Sequence, residues 1–189
     1  MTVWLILEPF PENDLNTPTY GTEHSAGIDF SACLTRPCMH VDSHGDKAHF
    51  YATDAGSRVS KAPSQHAGVS HRSEPGQSKP KLILTCNETV MISLGYKCEF
   101  NPGFVLQLFM RSSMGARGLM LANSVGIIDS DYRGEVFACV FNRNIEPITI
   151  EHGQRIVQGV LAPCYQAIVK EAKVSETKRG EGGFGSTGQ

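Results

Sequence analysis

Phe104-Val105-Leu106-Gln107-Leu108-Phe109, entered from Asn101-Pro102-Gly103 and left through Met110-Arg111-Ser112, decides the class of the fold. The run is strand-length, apolar and opened by turn-forming residues. Lys81-Leu82-Ile83-Leu84-Thr85, Val136-Phe137-Ala138-Cys139-Val140-Phe141 and Arg155-Ile156-Val157-Gln158-Gly159-Val160-Leu161 repeat its character, and Met1 to Glu8 reads as a first strand. Arg133-Gly134, Glu146-Pro147 and His152-Gly153 break the chain at short intervals. Many short strands with dense turn punctuation predict an all-β sandwich or jelly roll. Only Ser112 to Arg117 has helical character, for one or two turns.

The 189 residues, 40% hydrophobic and 19% charged, suffice for a single domain spanning 1–189 with a real core. No run is apolar and long enough to cross a membrane, and the start lacks the basic lead-in and small-residue cleavage site of a signal peptide. The expectation is a cytoplasmic protein, or a nuclear one in a eukaryotic host or its virus, not secreted and with no membrane partner. A net charge of -2 argues against a general nucleic-acid binder, so no direct nucleic-acid binding is expected and any anion site must be local. Cys33, Cys86, Cys139 and Cys164 sit in apolar, strand-like runs, which predicts buried thiols rather than a disulfide framework.

Residues 39–80 break the rhythm: they contain no Leu, Ile, Trp or Cys, while Ser, His, Gly and Pro recur. The segment predicts a polar surface insertion, mobile over most of its length, with His49-Phe50-Tyr51-Ala52 as a short strand. It holds five of the seven histidines. The spacing of Cys38-Met39-His40-Val41-Asp42-Ser43-His44 matches no recurrent structural-zinc pattern, and histidines in a polar loop need no ligand role.

Five stretches carry chemistry. In Ser25-Ala26-Gly27-Ile28-Asp29-Phe30, a carboxylate in an apolar strand needs a partner, either a backbone N–H in a turn or the hydration shell of a metal ion. Arg111-Ser112-Ser113-Met114-Gly115 places a guanidinium and two hydroxyls at a helix start, where phosphate oxygens are favoured, although Ser is also an ordinary N-cap. Asn123 to Glu135 contains Gly126-Ile127-Ile128-Asp129-Ser130-Asp131-Tyr132, an apolar step that delivers a carboxylate at the mouth of a hairpin. Asn123 and backbone groups can pair with a pyrimidine edge, Tyr132 can stack on a sugar, and Asp129 can deprotonate a water. Asp131 fits a plain turn acid pairing with Arg133 or another neighbouring cation. In Gly153-Gln154-Arg155-Ile156-Val157-Gln158, Arg155 and Gln158 fall on opposite faces of a regular strand, which assigns Gln158 to phosphate or water and Arg155 to a structural ion pair. The tail from Arg179 through Phe184, Gly185 and Ser186 combines a cation, a ring and a run of glycines, suited either to a flap closing over a nucleotide or to a frayed end.

Ala26-Gly27-Ile28-Asp29, Arg111-Ser112-Ser113, Gly126 to Gly134, Gly153 to Gln158 and Arg179 to Gly188 resemble, in order, the five motifs of the trimeric dUTPase family. The resemblance covers most of residues 2–38 and 81–189. It implies a distorted jelly-roll (β-clip) homotrimer that cleaves dUTP to dUMP and pyrophosphate, limiting uracil in DNA. Its three sites are each assembled from three subunits, and a mobile arm, residues 175–189, closes over them. It further implies Asp129 as the base activating water, with Asn123, Gly126 and Tyr132 about the uracil and deoxyribose. Arg111, Ser112, Ser113 and Gln158 would hold the triphosphate, Arg179 the γ-phosphate, and Phe184 with Gly185 and Ser186 would close over the base. Mg²⁺ would be held mainly by the triphosphate, with Asp29 acting through water.

The sequence departs from the family pattern at Met110, where a Pro is usual, and at Ser113, where a Gly is usual. The sister family of dCTP deaminases needs a catalytic Glu at the position of Cys139, and a thiol cannot replace it in a proton shuttle. A further alternative is a regulatory protein whose partner binds the 39–80 insertion.

Overall fold

The computed structural model describes residues 2–59 and 79–183. In chain order these form β1 (Leu5–Pro9), β2 (Thr19–Tyr20), β3 (Ile28–Ser31), β4 (Cys38–Val41), β5 (Lys47–Ala52), β6 (Arg58–Val59), β7 (Lys81–Leu84), β8 (Thr89–Ser93), β9 (Tyr96–Phe100) and β10 (Phe104–Met110). Then follow α1 (Ser112–Ala116), β11 (Leu119–Leu121), β12 (Gly126–Ile128), β13 (Phe137–Asn142), β14 (Ile148–Glu151) and β15 (Arg155–Pro163). Five strands in the order β12-β10-β15-β3-β2 form one sheet, and six in the order β11-β13-β8-β4-β5-β6 form the other. β1 pairs with β9, and β14 with β7. This is the all-β jelly-roll expected from the strand punctuation. No helix among the described residues is long and apolar enough to cross a membrane.

Alternation builds the core. Along β13 the buried residues Ala138, Val140 and Asn142 alternate with partly exposed Phe137, Cys139 and Phe141. Val90 and Ile92 of β8 share the buried cluster with Phe30, Leu106, Leu108, Ile156 and Val157 from the five-stranded sheet. Each fully buried aliphatic or aromatic side chain contributes about 1.5–3 kcal/mol of hydrophobic stabilisation. Asn142, fully buried, donates through Nδ2 to the carbonyls of Leu84, Thr85 and Glu146, which ties the β7 end to the turn before β14.

Residues 39–59 correct the expectation of a solvated insertion over 39–80. β4 lies between β8 and β5 in the six-stranded sheet, with Met39 opposite Met91 and Cys38 opposite Phe50. Cys38, Met39, Phe50 and Ala52 are buried. Arg58 forms an ion pair with Glu88, donates to the Ile83 carbonyl at 2.7 Å, and lies 4.8 Å from the Phe50 ring centre. Near the sheet edge a few inward apolar positions suffice, and these are filled by Cys38, Phe50 and Ala52 rather than Leu or Ile. The rest of the segment, including His66 and His71, lies outside the described residues. The cysteines also differ from expectation. Cys33, Cys38 and Cys98 are buried and Cys139 is half-buried, but Cys86 and Cys164 are exposed, because each lies just beyond the end of its strand. All six are free thiols.

Candidate active site

The five-stranded sheet carries two chemically distinct poles towards opposite ends of β10, which runs between β12 and β15. At the first, β3, β15 and the end of β10 converge. Asp29 lies opposite Gln158 in register. Its Oδ1 pairs with Arg111 Nε at 2.8 Å, and its Oδ2 accepts from Arg155 Nη1 at 3.0 Å. The Asp29 side chain is only 12% exposed, so the two guanidiniums supply the partner that a carboxylate in an apolar strand requires. The Arg111 N–H is itself fixed by the Ile156 carbonyl at 3.1 Å.

A bulge explains why Arg155 reaches Asp29. Between Arg155 and Val157 the ladder slips, so that Arg155 faces Ser31, Val157 faces Phe30 and Gln158 faces Asp29. The extra residue turns both Ile156 and Val157 inward and returns Arg155 to the same face as Gln158. The expectation of opposite faces assumed a regular strand and is corrected here, whereas the ion-pair role of Arg155 is what the geometry displays. Gln158 packs over Gly27, where a Cβ would sit 3.1 Å from that of Gln158. Ser112 and Ser113 open α1 with their side chains exposed. Their N–H groups belong to the first helical turn, which lacks intrahelical acceptors. Two guanidiniums against one carboxylate leave this pole with an excess positive charge beside the amides and hydroxyls of Ser112 and Ser113.

The second pole follows β12. Asn123 is exposed in the turn after β11, where Ser124 has φ +62° and the Val125 N–H donates to the Asn123 carbonyl at 2.7 Å. β11 pairs with β13 and β12 with β10, so this turn is a corner between sheets rather than the expected hairpin. Gly126 is buried against Leu108, and a Cβ there would lie 3.0 Å from the Leu108 Cβ. Asp129 is exposed, and no hydrogen bond or ion pair reaches its carboxylate from the described residues. The Tyr132 N–H donates to the Asp129 carbonyl at 3.1 Å, and the Tyr132 hydroxyl to the Glu135 carbonyl at 2.9 Å. The phenol lies over Gly134, where any Cβ would collide with it. Arg133 pairs with Glu99 at 3.6 Å and donates to the Ser130 carbonyl, so Asp131 is not its partner.

The two poles do not meet within one chain. Ile128 is level with Leu106, and Arg111 lies beyond the far end of the same strand. At about 3.3 Å per residue, Asp129 and Arg111 are about 20 Å apart along β10. Arg179 lies on neither pole: its Nε donates to the Gly182 carbonyl at 2.7 Å within the tail. The segment leading to it is solvent-exposed, with Tyr165 94% and Val169 93% accessible. Phe184, Gly185 and Ser186 lie outside the described residues.

Two features had no signal in the sequence, the partners of Arg36 and of His152. Arg36 holds Glu135 through two nitrogens, an arrangement joining positions far apart in the chain. His152 is buried, with Nε2 2.8 Å from Asp14 Oδ1 and Nδ1 accepting the Leu34 N–H at 3.1 Å. Burial holds its pKa below the ordinary value against the opposing pull of Asp14. Cys139 stands opposite Met91 in the six-stranded sheet, and burial pushes its thiol pKa up, which makes it a poor proton carrier.

Comparison with known proteins supplies further findings. A family model described as dUTPase matches residues 77–188. The deoxyuridine 5'-triphosphate nucleotidohydrolase of Hahella chejuensis is 33% identical over 181 residues, covering 93% of this chain and 89% of its own length. A Streptococcus mutans dUTPase structure aligns with TM-score 0.56 at 24% identity, over 86% of this chain and 98% of that one. A point mutant of the Staphylococcus bacteriophage 80alpha dUTPase with dUpNHpp aligns with TM-score 0.64 at 18% identity, over 98% of this chain and 99% of its own.

Proposed function

The chain belongs to the dUTPase family, and we propose that it hydrolyses dUTP to dUMP and pyrophosphate within a homotrimer. The observation that carries this reading is the division of the matching motifs between two poles about 20 Å apart on β10, each incomplete alone. A site drawing the cationic pole from one copy, the Asp129 pole from a second and the arm from a third contains every group the reaction needs. The exposed apolar side chains of Tyr165, Ile168, Val169 and Val174 support an arm that finds its cover on another copy.

In this reading Asp129 takes a proton from water as the water oxygen bonds to the α-phosphorus and the bond to the pyrophosphate oxygen breaks. An exposed carboxylate without a competing partner among the described residues suits a base that must meet water. Asn123 and the backbone about Gly126 hold the uracil edge, and Tyr132 lies against the deoxyribose where a 2'-hydroxyl would clash. Arg111, Ser112, Ser113 and Gln158 hold the triphosphate, Arg179 binds the γ-phosphate, and Phe184, Gly185 and Ser186 close over the base. Arg111 and Arg155 use one lone-pair direction on each Asp29 oxygen, leaving others for water, so Asp29 fits a water-mediated contact to Mg²⁺ held by the triphosphate. When bound, Mg²⁺ would neutralise phosphate charge.

The test is incubation of purified protein with dUTP, dCTP, dTTP and UTP in Mg²⁺ with product identification. dUMP and pyrophosphate from dUTP alone are expected, and a deaminated product from dCTP would overturn the assignment. The half-buried Cys139 thiol already disfavours deamination. A partner role for 39–80 is weakened over 39–59, where Met39, Phe50 and Ala52 pack into the body and Arg58 binds it.

A further inference from the structure

We propose that Arg36, on the turn between β3 and β4, is a positioning residue for sugar discrimination, acting through Glu135 on Tyr132. The proposal rests on the placement of Tyr132 against the deoxyribose. Arg36 Nε and Nη2 donate to the two oxygens of Glu135 at 2.6 and 2.9 Å, a bidentate fork. Its Nη1 donates to Glu12 Oε2 at 2.5 Å, and its plane lies 3.8 Å from the Phe10 ring centre. The Arg36 and Glu135 side chains are 12% and 13% exposed. The Ser93 hydroxyl donates to the same Glu135 oxygen as Nε. Glu135 thus has little freedom to move, and its backbone carbonyl is the acceptor that holds the Tyr132 hydroxyl over Gly134.

This matters because the loop that carries Asp129 and Tyr132 has no strand pairing of its own between the end of β12 and the start of β13. Its other tethers are turn bonds, the exposed pair of Arg133 with Glu99 and, at its far end, the backbone bonds of Val136 with Leu94 and Tyr96, which leave the Glu135 side chain to be fixed by Arg36. The Arg36 fork is the rigid end of that loop. A lysine keeps the charge but cannot supply two parallel N–H groups and the flat face against Phe10 at once.

The experiment measures kcat/KM for dUTP and UTP in the wild type, Arg36→Lys, Tyr132→Phe and the double variant, with melting temperature for each. Tyr132→Phe keeps the ring but removes the bond to Glu135. Each single variant is expected to lower the dUTP-to-UTP preference by about tenfold, mainly through a lower KM for UTP as the clash eases, with kcat for dUTP moved far less. The double variant is expected to lose no more than either single change, because both break one chain of contacts. An unchanged preference in either single variant, or losses that multiply in the double, would overturn the proposal. A merely structural role would lower the melting temperature and reduce both substrates equally. Failure of the wild type to hydrolyse dUTP would instead overturn the functional reading. If Arg36→Lys does not fold, Tyr132→Phe still decides through its own ratio.

Discussion

Asp129 and His152 show two ways in which surroundings set a single side chain's behaviour. Asp129 is exposed and unpartnered among the described residues, so replacing it with the near-isosteric Asn should leave the melting temperature unchanged. Turnover of dUTP should fall by about 10²–10⁴ with the loss of a general base, and kcat at saturating dUTP measures this. Unchanged turnover would remove Asp129 from its role. His152 depends instead on burial: the Leu34 N–H occupies Nδ1, so the neutral ring carries its proton on Nε2, facing Asp14. Its folded pKa lies below the ordinary 6.5, so below that value the unfolded chain binds the additional proton more readily than the folded one. The His152 contribution to stability is therefore complete above the ordinary pKa and is lost as pH falls through it toward the depressed value. Urea midpoints across this range should fall more steeply in the wild type than in His152→Gln. Parallel curves would show that the ring does not titrate in this manner. The exposed place of Asp129 at the end of β12 was legible in the sequence because an acid after Gly126-Ile127-Ile128 is a local pattern. The partners of His152 and Arg36 were not, because Asp14 and Glu135 are brought to them only by the closed sandwich.

Strands carried most of what could be read in advance, and their irregularities carried what could not. β10, β13 and β15 announce themselves through apolar runs with turn-forming flanks. The bulge after Arg155 leaves no comparable mark, since Ile156-Val157 reads equally well as a regular apolar step. β4 escaped for another reason, as did the packing of β5, expected over residues 49–52 but as part of a solvated insertion: a scan for large aliphatic residues passes over strands whose inward positions are Cys38, Phe50 and Ala52. Their integration is open to test. Phe50→Ala should destabilise the protein by about 3 kcal/mol, as for truncation of a buried aromatic, measured by urea unfolding. It also removes the surface on which Arg58 lies. A change near zero would return residues 39–59 to the status of an appendage.

Assembly is the level at which the two poles of β10 become one site. If the cationic pole around Arg111 and the Asp129 pole come from different copies, Asp129→Asn and Arg111→Ala damage different faces of the same composite site. Arg111→Ala leaves Asp29 paired with Arg155, so the sheet retains its carboxylate contact. Each variant alone should be nearly inactive, because every site in its homotrimer lacks one group. Co-expressed in equal amounts with different tags and purified through both, the chains should recover activity, since some sites draw both intact groups from different copies. For random assembly in a closed cyclic trimer that fraction is about a quarter of all sites before tag selection. A site built within one chain predicts a different result: every protomer carries one lesion, and mixing restores nothing. The distance of about 20 Å along β10 favours recovery, and dUMP release by the doubly purified trimer is the measurement. No activity above that of the separate variants would put both poles in a site built within one chain, which would end the composite-site reading.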